Sequence, residues 1–286
     1  MSLTDAQWAR VEPLLPERRP RRGGCWRGGC WRDHRQVIDA IAFTYRTGTP
    51  WMSLPEHFGS WKGAHNRLRM WATDGTWRRF FIAVLAQADA EGDVDWVVAV
   101  DSTIVRAHQH AAGARNEGAP AAELVDHTLG RSRGGVTAKI HLAADGQCRP
   151  LAFVITAGQA GDAPAFEQVM AWIRVPRRVG RTRTTPVVVL ADRAYSSRAI
   201  LCHLRRRGIR SVIPQPADQA ASRKRRGRLG GRAPAFDREA YKRRTTVERC
   251  INKLEQWRGL ATRYEKTATI YLVDLHLAAV FIWSAN

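Results

Sequence analysis

The sequence predicts an α/β chain in which an all-helical N-terminal part precedes a mixed sheet with flanking helices. Three observations lead there. Apolar residues recur at helical spacing through residues 3–90. Beyond Gly92 the period changes, and the runs Trp96-Val97-Val98-Ala99-Val100 and Val187-Val188-Val189-Leu190 read as strands buried on both faces. Strand and helix patterns then alternate, as a mixed sheet requires. The division falls near Glu91-Gly92-Asp93, giving a helical unit of residues 1–92 and a sheet unit of residues 93–286. A chain of 286 residues can bury a core in each.

Taken in order, the first helix opens at Leu3-Thr4-Asp5 with Thr4 as N-cap, and Leu3, Trp8, Val11, Leu14 and Leu15 make its apolar side. Pro16 and Pro20 stop it. A basic Gly-rich segment follows, containing the tandem repeat Gly23-Gly24-Cys25-Trp26-Arg27 and Gly28-Gly29-Cys30-Trp31-Arg32. Helices are predicted over residues 33–46, 60–74 and 76–90, separated by Gly48 and Gly75. Short helices with tight turns suggest a helix-turn-helix arrangement. The helix 60–74 is the candidate recognition element, with His65, Arg67 and Arg69 outside and Trp61, Leu68 and Trp71 inside. A helical scaffold with a solvated basic face explains the same pattern.

In the second unit, residues 136–143 and 151–156 read as strands joined at Asp145-Gly146. Asp162 is expected to cap the helix that begins Ala163-Pro164. Residues 196–207 are helical, 210–214 a short strand, 222–232 a basic loop and 241–257 a helix. The apolar run 267–283 contains Asp274 and His276, so it is expected as a buried helix and not a membrane span.

The net charge is +20, from 46 Lys and Arg against 26 Asp and Glu. Such a field favours a polyphosphate partner, since neutralised phosphates release condensed counterions. Double-stranded DNA is therefore the expected partner, while membranes and small-molecule substrates are not. No leader is visible after Met1, and five cysteines, an odd number, suggest reduced thiols in a cytoplasm. Cys25, Cys30 and His34 resemble a zinc set only superficially, because the tandem repeat accounts for both cysteines. His108 and His110 alternate on what reads as extended chain and suit phosphate better than zinc.

Both buried runs end in aspartate, at Asp101 and Asp192. Parallel central strands ending at one edge bring two carboxylates together where α/β sheets hold ligands. In a basic protein that pairing points to a hard cation, Mg²⁺ or Mn²⁺. On the helix 241–257, Tyr241, Arg244, Glu248 and Glu255 share one stripe, which can look along the sheet margin toward the aspartates. A surface ion-pair stripe has the same spacing.

These residues carry a resemblance. The order DST, LADRAYSS and YKRRTTVERCINKLEQWRGLATRYEKTA, with LTDAQWARVEPLLP, WMSLPEHFGSW and GRSRGGVTAKIH ahead or between, resembles the DDE transposases of insertion sequences, IS-five-like family. The resemblance covers nearly the whole chain. It implies a ribonuclease-H-like core, recognition of terminal inverted repeats, and Mg²⁺-dependent strand cleavage and transfer by a protein that is dimeric or larger on DNA, in a bacterial cytoplasm near the nucleoid. It assigns Asp101, Asp192 and Glu248 to the metal, and Tyr241 and Arg244 to the tyrosine and arginine that precede the glutamate. Arg131, Arg133, Lys139, Tyr241 and Arg244 become candidate contacts to DNA, with His65, Arg67 and Arg69 in the first unit. Two features depart from the family pattern: Glu255 stands where a lysine is expected, and the Gly-Gly-Cys-Trp-Arg doubling is extra. An active recombinase and a degenerate, non-catalytic DNA-binding relative both remain open on the sequence.

Overall fold

The computed structural model describes residues 2–15, 33–112, 128–132 and 134–285. The Gly-Gly-Cys-Trp-Arg doubling, with Cys25 and Cys30, and Arg133 lie outside the described residues.

Four helices open the chain: α1 (Asp5–Val11), α2 (His34–Thr47), α3 (Trp61–Thr73) and α4 (Thr76–Ala90). Thr4 caps α1 as expected, in a reciprocal box with Gln7 that satisfies two end N–H groups. The turns after α2 and before α4 use Gly48 and Gly75 at φ +72° and +74°, a region closed to most side chains. These helices share their apolar side with the last helix, α12 (Ala268–Ser284), which packs on α1, α2, α3 and α4 and also on the sheet. Nearly every α12 residue is buried, so an element apolar all round is a central core helix. Among the described residues, no helix is long and apolar enough to cross a membrane.

The sheet has seven strands: β1 (Val97–Ala107), β2 (Gly130–Ser132), β3 (Gly135–Ala144), β4 (Pro150–Ala157), β5 (Val188–Ala191), β6 (Arg210–Val212) and β7 (Thr262–Arg263). Its order is β2-β3-β1-β5-β6, with β4 also on β3 and β7 also on β1. β1 runs antiparallel to β3 and parallel to β5, and β5 is parallel to β6. A mixed sheet with flanking helices after a helical N-terminal part is the α/β arrangement that the sequence predicts. The β3–β4 turn is locked by Arg149, which is 1% exposed, donates to Asp145 at 2.9 and 2.7 Å, pairs with Asp93 and stacks over Trp283 of α12. Removing one partner of such a buried pair costs about 3–5 kcal/mol.

Between and after the strands lie α5 (Gln109–Ala112), α6 (Asp162–Trp172), α7 (Arg198–Arg206), α8 (Ala217–Arg225), α9 (Arg238–Lys242), α10 (Thr245–Glu255) and α11 (Arg258–Ala261). Four expectations are corrected. β1 does not end at Asp101, because β3 continues the pairing to Arg106 after β5 has stopped at Val100. Asp162 is the first helical residue of α6, and Gly161 is its N-cap. The basic segment expected as a loop is helix α8 plus a tight 3₁₀ turn, since Ala217, Gln219, Ala220 and Ala221 favour helix more strongly than the charge run opposes it. The helix expected over residues 241–257 is broken at Arg243 and Arg244 into α9 and α10.

Candidate active site

Asp101 and Ser102 are neighbours on β1 and therefore point to opposite faces of the sheet. On the Asp101 face lies α10, which packs on β1 and β3. On the Ser102 face lies α6, packed on β3, β4 and β1. The last parallel pair of β1 and β5 is Val100 with Ala191, so Asp101 and Asp192 are the next residues on both strands. The expected juxtaposition of the two carboxylates therefore follows from the parallel register, although β1 itself runs on.

Asp192 caps the turn after β5, accepting from the Ala194 N–H at 2.8 Å. Asp101 accepts from the Ser102 N–H at 2.8 Å and from Arg244 Nη1 at 3.0 Å. Burial raises its pKa above the ordinary aspartate value and the carboxylates of Asp192 and Glu248 add to the rise, against the lowering by Ser102 and Arg244. Glu248 in the first turn of α10 receives the other arm of the same guanidinium. The break between α9 and α10 makes Arg244 the N-cap of α10 and puts its fork between Asp101 and Glu248. Two carboxylates on separate elements are thus held together by one planar cation.

Among the described residues, no three His, Cys, Asp or Glu side chains are gathered tightly enough to hold a metal ion as they stand. The donor types nevertheless suit a hard divalent ion: Asp101, Asp192 and Glu248 lie close enough beyond the end of β5 to act on one another electrostatically, with burial the main cause of the raised Asp101 pKa and the other two carboxylates adding to it. Arg244 provides the compensating charge here.

Glu255, two turns along α10, accepts from Thr103 Oγ1 at 3.3 Å, so it too lies on the Asp101 face. Arg258 instead covers Gly48. Tyr241 packs on Phe236 and lies under Arg244. Arg131 is exposed on β2. In α3, Arg69 is exposed, Arg67 is part-buried over Trp71, and His65 is half-buried edge-on to Trp51. Burial and the Arg69 charge lower the pKa of His65, which is therefore neutral near pH 7 and not an outward cation. His108 stacks with His110 and Tyr264 just past β1. Lys139, expected at DNA, is buried: its ammonium bonds Asp162 at 3.0 Å and the Ala160 carbonyl at 2.7 Å.

The sequence reading did not anticipate the group around Asp162. Ser102, Lys139, His141, Asp162 and Tyr195 come from four segments and meet under β1. The signal was there in Lys139 and His141, charged or titratable residues two apart in a mostly apolar strand. Such a pair shares one face and needs partners inside the protein.

Comparison with known proteins places the chain in a class. Residues 92–281 match the family "Transposase DDE domain", and residues 3–81 match "Putative transposase of IS4/5 family". The chain belongs to this family of insertion-sequence transposases. It is 31% identical over 148 residues to the "Putative transposase for insertion sequence element IS6501" of Brucella ovis, covering 52% of this chain and 98% of that one. It is 35% identical over 108 residues to the "Insertion element IS402 uncharacterized 16.2 kDa protein" of Burkholderia cepacia, 37% of this chain and 73% of that one. Among solved structures, the "Mos1 transposase paired-end complex with left transposon end" aligns over 80% of both chains at 13% identity, with a TM-score of 0.26.

Proposed function

We propose that this transposase binds the terminal inverted repeats of its own insertion sequence and carries out divalent-metal-dependent strand cleavage and strand transfer. The observation that carries the reading is the convergence of Asp101, Asp192 and Glu248, all three intact, on one edge of the sheet. These residues would hold Mg²⁺, or Mn²⁺ in its place. Such ions activate a water or a 3′-hydroxyl and stabilise the charge on phosphorus oxygens. Asp101 is held by the Ser102 N–H and Asp192 by the Ala194 N–H, so both carboxylates are oriented before any ion arrives. Arg244 stands beside them as a fixed positive charge for the scissile-strand phosphate.

Residues 1–92 read the ends through α3, with Arg67 and Arg69 toward DNA, while residues 93–286 cut. Exposed Arg131 and the basic end of α8 hold the phosphate backbone, and the net charge of +20 suits a DNA duplex bound by a dimer or larger assembly inside a bacterial cell. One observation favours a second reading, a non-catalytic DNA-binding relative: Glu255 adds a fourth carboxylate to the face where DNA must lie.

Nicking of a duplex that carries the element's end, followed in Mg²⁺, separates the two. Asp101→Asn, Asp192→Asn and Glu248→Gln keep side-chain shape but lose the charge that holds the ion. Each is expected to abolish nicking with end binding within twofold of wild type. Nicking that survives in all three, or is missing from wild type, overturns the proposal.

A further inference from the structure

Under β1, on the face opposite Asp101, Ser102 Oγ donates to Asp162 Oδ1 at 2.6 Å. Lys139 Nζ donates to the same oxygen and to the Ala160 carbonyl, and Lys139 is 9% exposed. His141 lies beside them, its pKa lowered to about 4, chiefly by burial, so it is neutral at pH 7 and Lys139 supplies the cation that compensates Asp162. Burial raises the Asp162 pKa, but the Ser102 and Lys139 bonds outweigh it and hold the group below the ordinary value. Tyr195 is buried alongside, its pKa pushed up by burial and by Asp162, Asp101 and Asp192, so it remains a neutral phenol.

Resting on the assignment of Asp101, Asp192 and Glu248, we infer that Asp162 is a positioning residue for Asp101, acting through Ser102. The backbone makes such support necessary. The parallel partner of β1 stops at Val100, and β7 takes up the strand only at Arg106. Across the intervening stretch, which contains Asp101, β1 is paired in the sheet on the β3 side. Ser102 closes the gap from both directions. Its N–H holds the Asp101 carboxylate, and its hydroxyl is tied to Asp162 by a short charge-assisted bond. Asp162 is itself anchored by the start of α6 and by Lys139. Loosening either end lets the Asp101 carboxylate wander, and outer partners of this kind are typically worth about 10- to 100-fold in metal affinity or activity.

The test uses the full chain, with Mn²⁺ binding followed by calorimetry, melting temperature, end binding, and the Mg²⁺ concentration that half-saturates nicking. Asp162→Asn and Ser102→Ala are each expected to weaken Mn²⁺ binding about tenfold and to raise the Mg²⁺ requirement, with end binding unchanged. Ser102→Thr, which keeps the hydroxyl, restores wild-type binding. The double variant Asp162→Asn/Ser102→Ala is no weaker than Ser102→Ala alone, because both substitutions act on the same charge-assisted bond, which Asp162→Asn weakens and Ser102→Ala removes. Unchanged Mn²⁺ affinity in both single variants overturns the inference: a lowered melting temperature alone assigns the cluster to stability, and lost end binding assigns it to DNA contact. Asp101→Asn is the control. If it leaves Mn²⁺ binding intact, the metal-binding triad is wrong and this inference falls with it.

Discussion

At Glu255 a carboxylate stands on the Asp101 face of the sheet, two helical turns beyond Glu248 and within reach of Thr103. The resemblance implies a lysine at this point, and under the proposed function it would meet the DNA strand near the cut. A carboxylate repels a phosphate instead. At about 6 Å and an effective dielectric of about 20, the pair repels by about 3 kcal/mol before screening by solvent and salt reduces it. Glu255→Lys is therefore expected to raise end cleavage several-fold, more at low salt than at moderate salt. Losing one long, exposed hydrogen bond to Thr103 changes stability by less than about 0.5 kcal/mol. Equal cleavage by wild type and variant at both salts would show that Glu255 does not face the DNA. Among single residues, the side-by-side placement of Asp101 and Asp192 was legible in the sequence because uninterrupted apolar runs lead into them, a pattern that depends only on burial. The assignment of Glu248 rests on family resemblance, since an ion-pair stripe has the same spacing and Glu248 does pair with Arg244. The roles of Lys139 and Asp162 were not legible. Both were read from local rules, a basic contact and a helix cap, whereas their partners are supplied by strand register across the sheet.

Element boundaries failed where charge masked helix propensity or where a tertiary contact broke a regular pattern. Helix α8 is the first case. It buries none of its residues, so no apolar period announces it. Gln219 ties it to Ser196, just beyond Asp192, and an open groove runs between Asp192, Arg193, Pro216 and Asp218. At 1.5 Å per residue the helix is about 14 Å long, so its first turn lies beside Asp192 and its basic end, continuing into Arg226 and Arg228, stands about that far from the groove. That end also presents Leu229 almost fully to solvent. Arg226→Ala/Arg228→Ala is expected to leave the fold intact and to weaken binding of duplex flanking the element's end. If each arginine neutralises one phosphate, the slope of log affinity against log salt becomes shallower by about 2. An unchanged slope would mean that α8 points away from the duplex. The break between α9 and α10 is the second case. The helical stripe was right for Arg244, Glu248 and Glu255, with Arg244 as the cap whose fork joins Asp101 to Glu248, while Tyr241 lies beyond the break on α9.

The N-terminal helices and the sheet meet along α12, and that junction contains titratable groups of opposite pH dependence. His276 stacks on Phe81 of α4 with ring centroids 5.1 Å apart and sits edge-on to Phe153 of β4. Burial, with a smaller effect of Arg78, lowers its pKa to about 3. Below the ordinary histidine value of about 6.5 the unfolded chain takes up a proton that the native state refuses. This group's contribution to stability is therefore present above pH 6.5 and is lost as pH falls toward 3, by about 1.4 kcal/mol per pH unit. Asp274, two residues earlier on α12, acts in the other direction. Its pKa is raised well above the ordinary value by burial and by Glu265, so its contribution is full at low pH and is lost as pH rises through the native value. Wild-type stability against pH mixes the two, and only a variant separates them. His276→Phe keeps an aromatic ring between Phe81 and Phe153, beside a small cavity that also touches Leu85 and Trp172. Relative to wild type, this variant is expected to gain about 2 kcal/mol in urea unfolding free energy between pH 7 and pH 5, whatever its offset at pH 7. Parallel curves over that range would mean that His276 is protonated in the folded protein, and that the apolar joint between helices and sheet admits a charge.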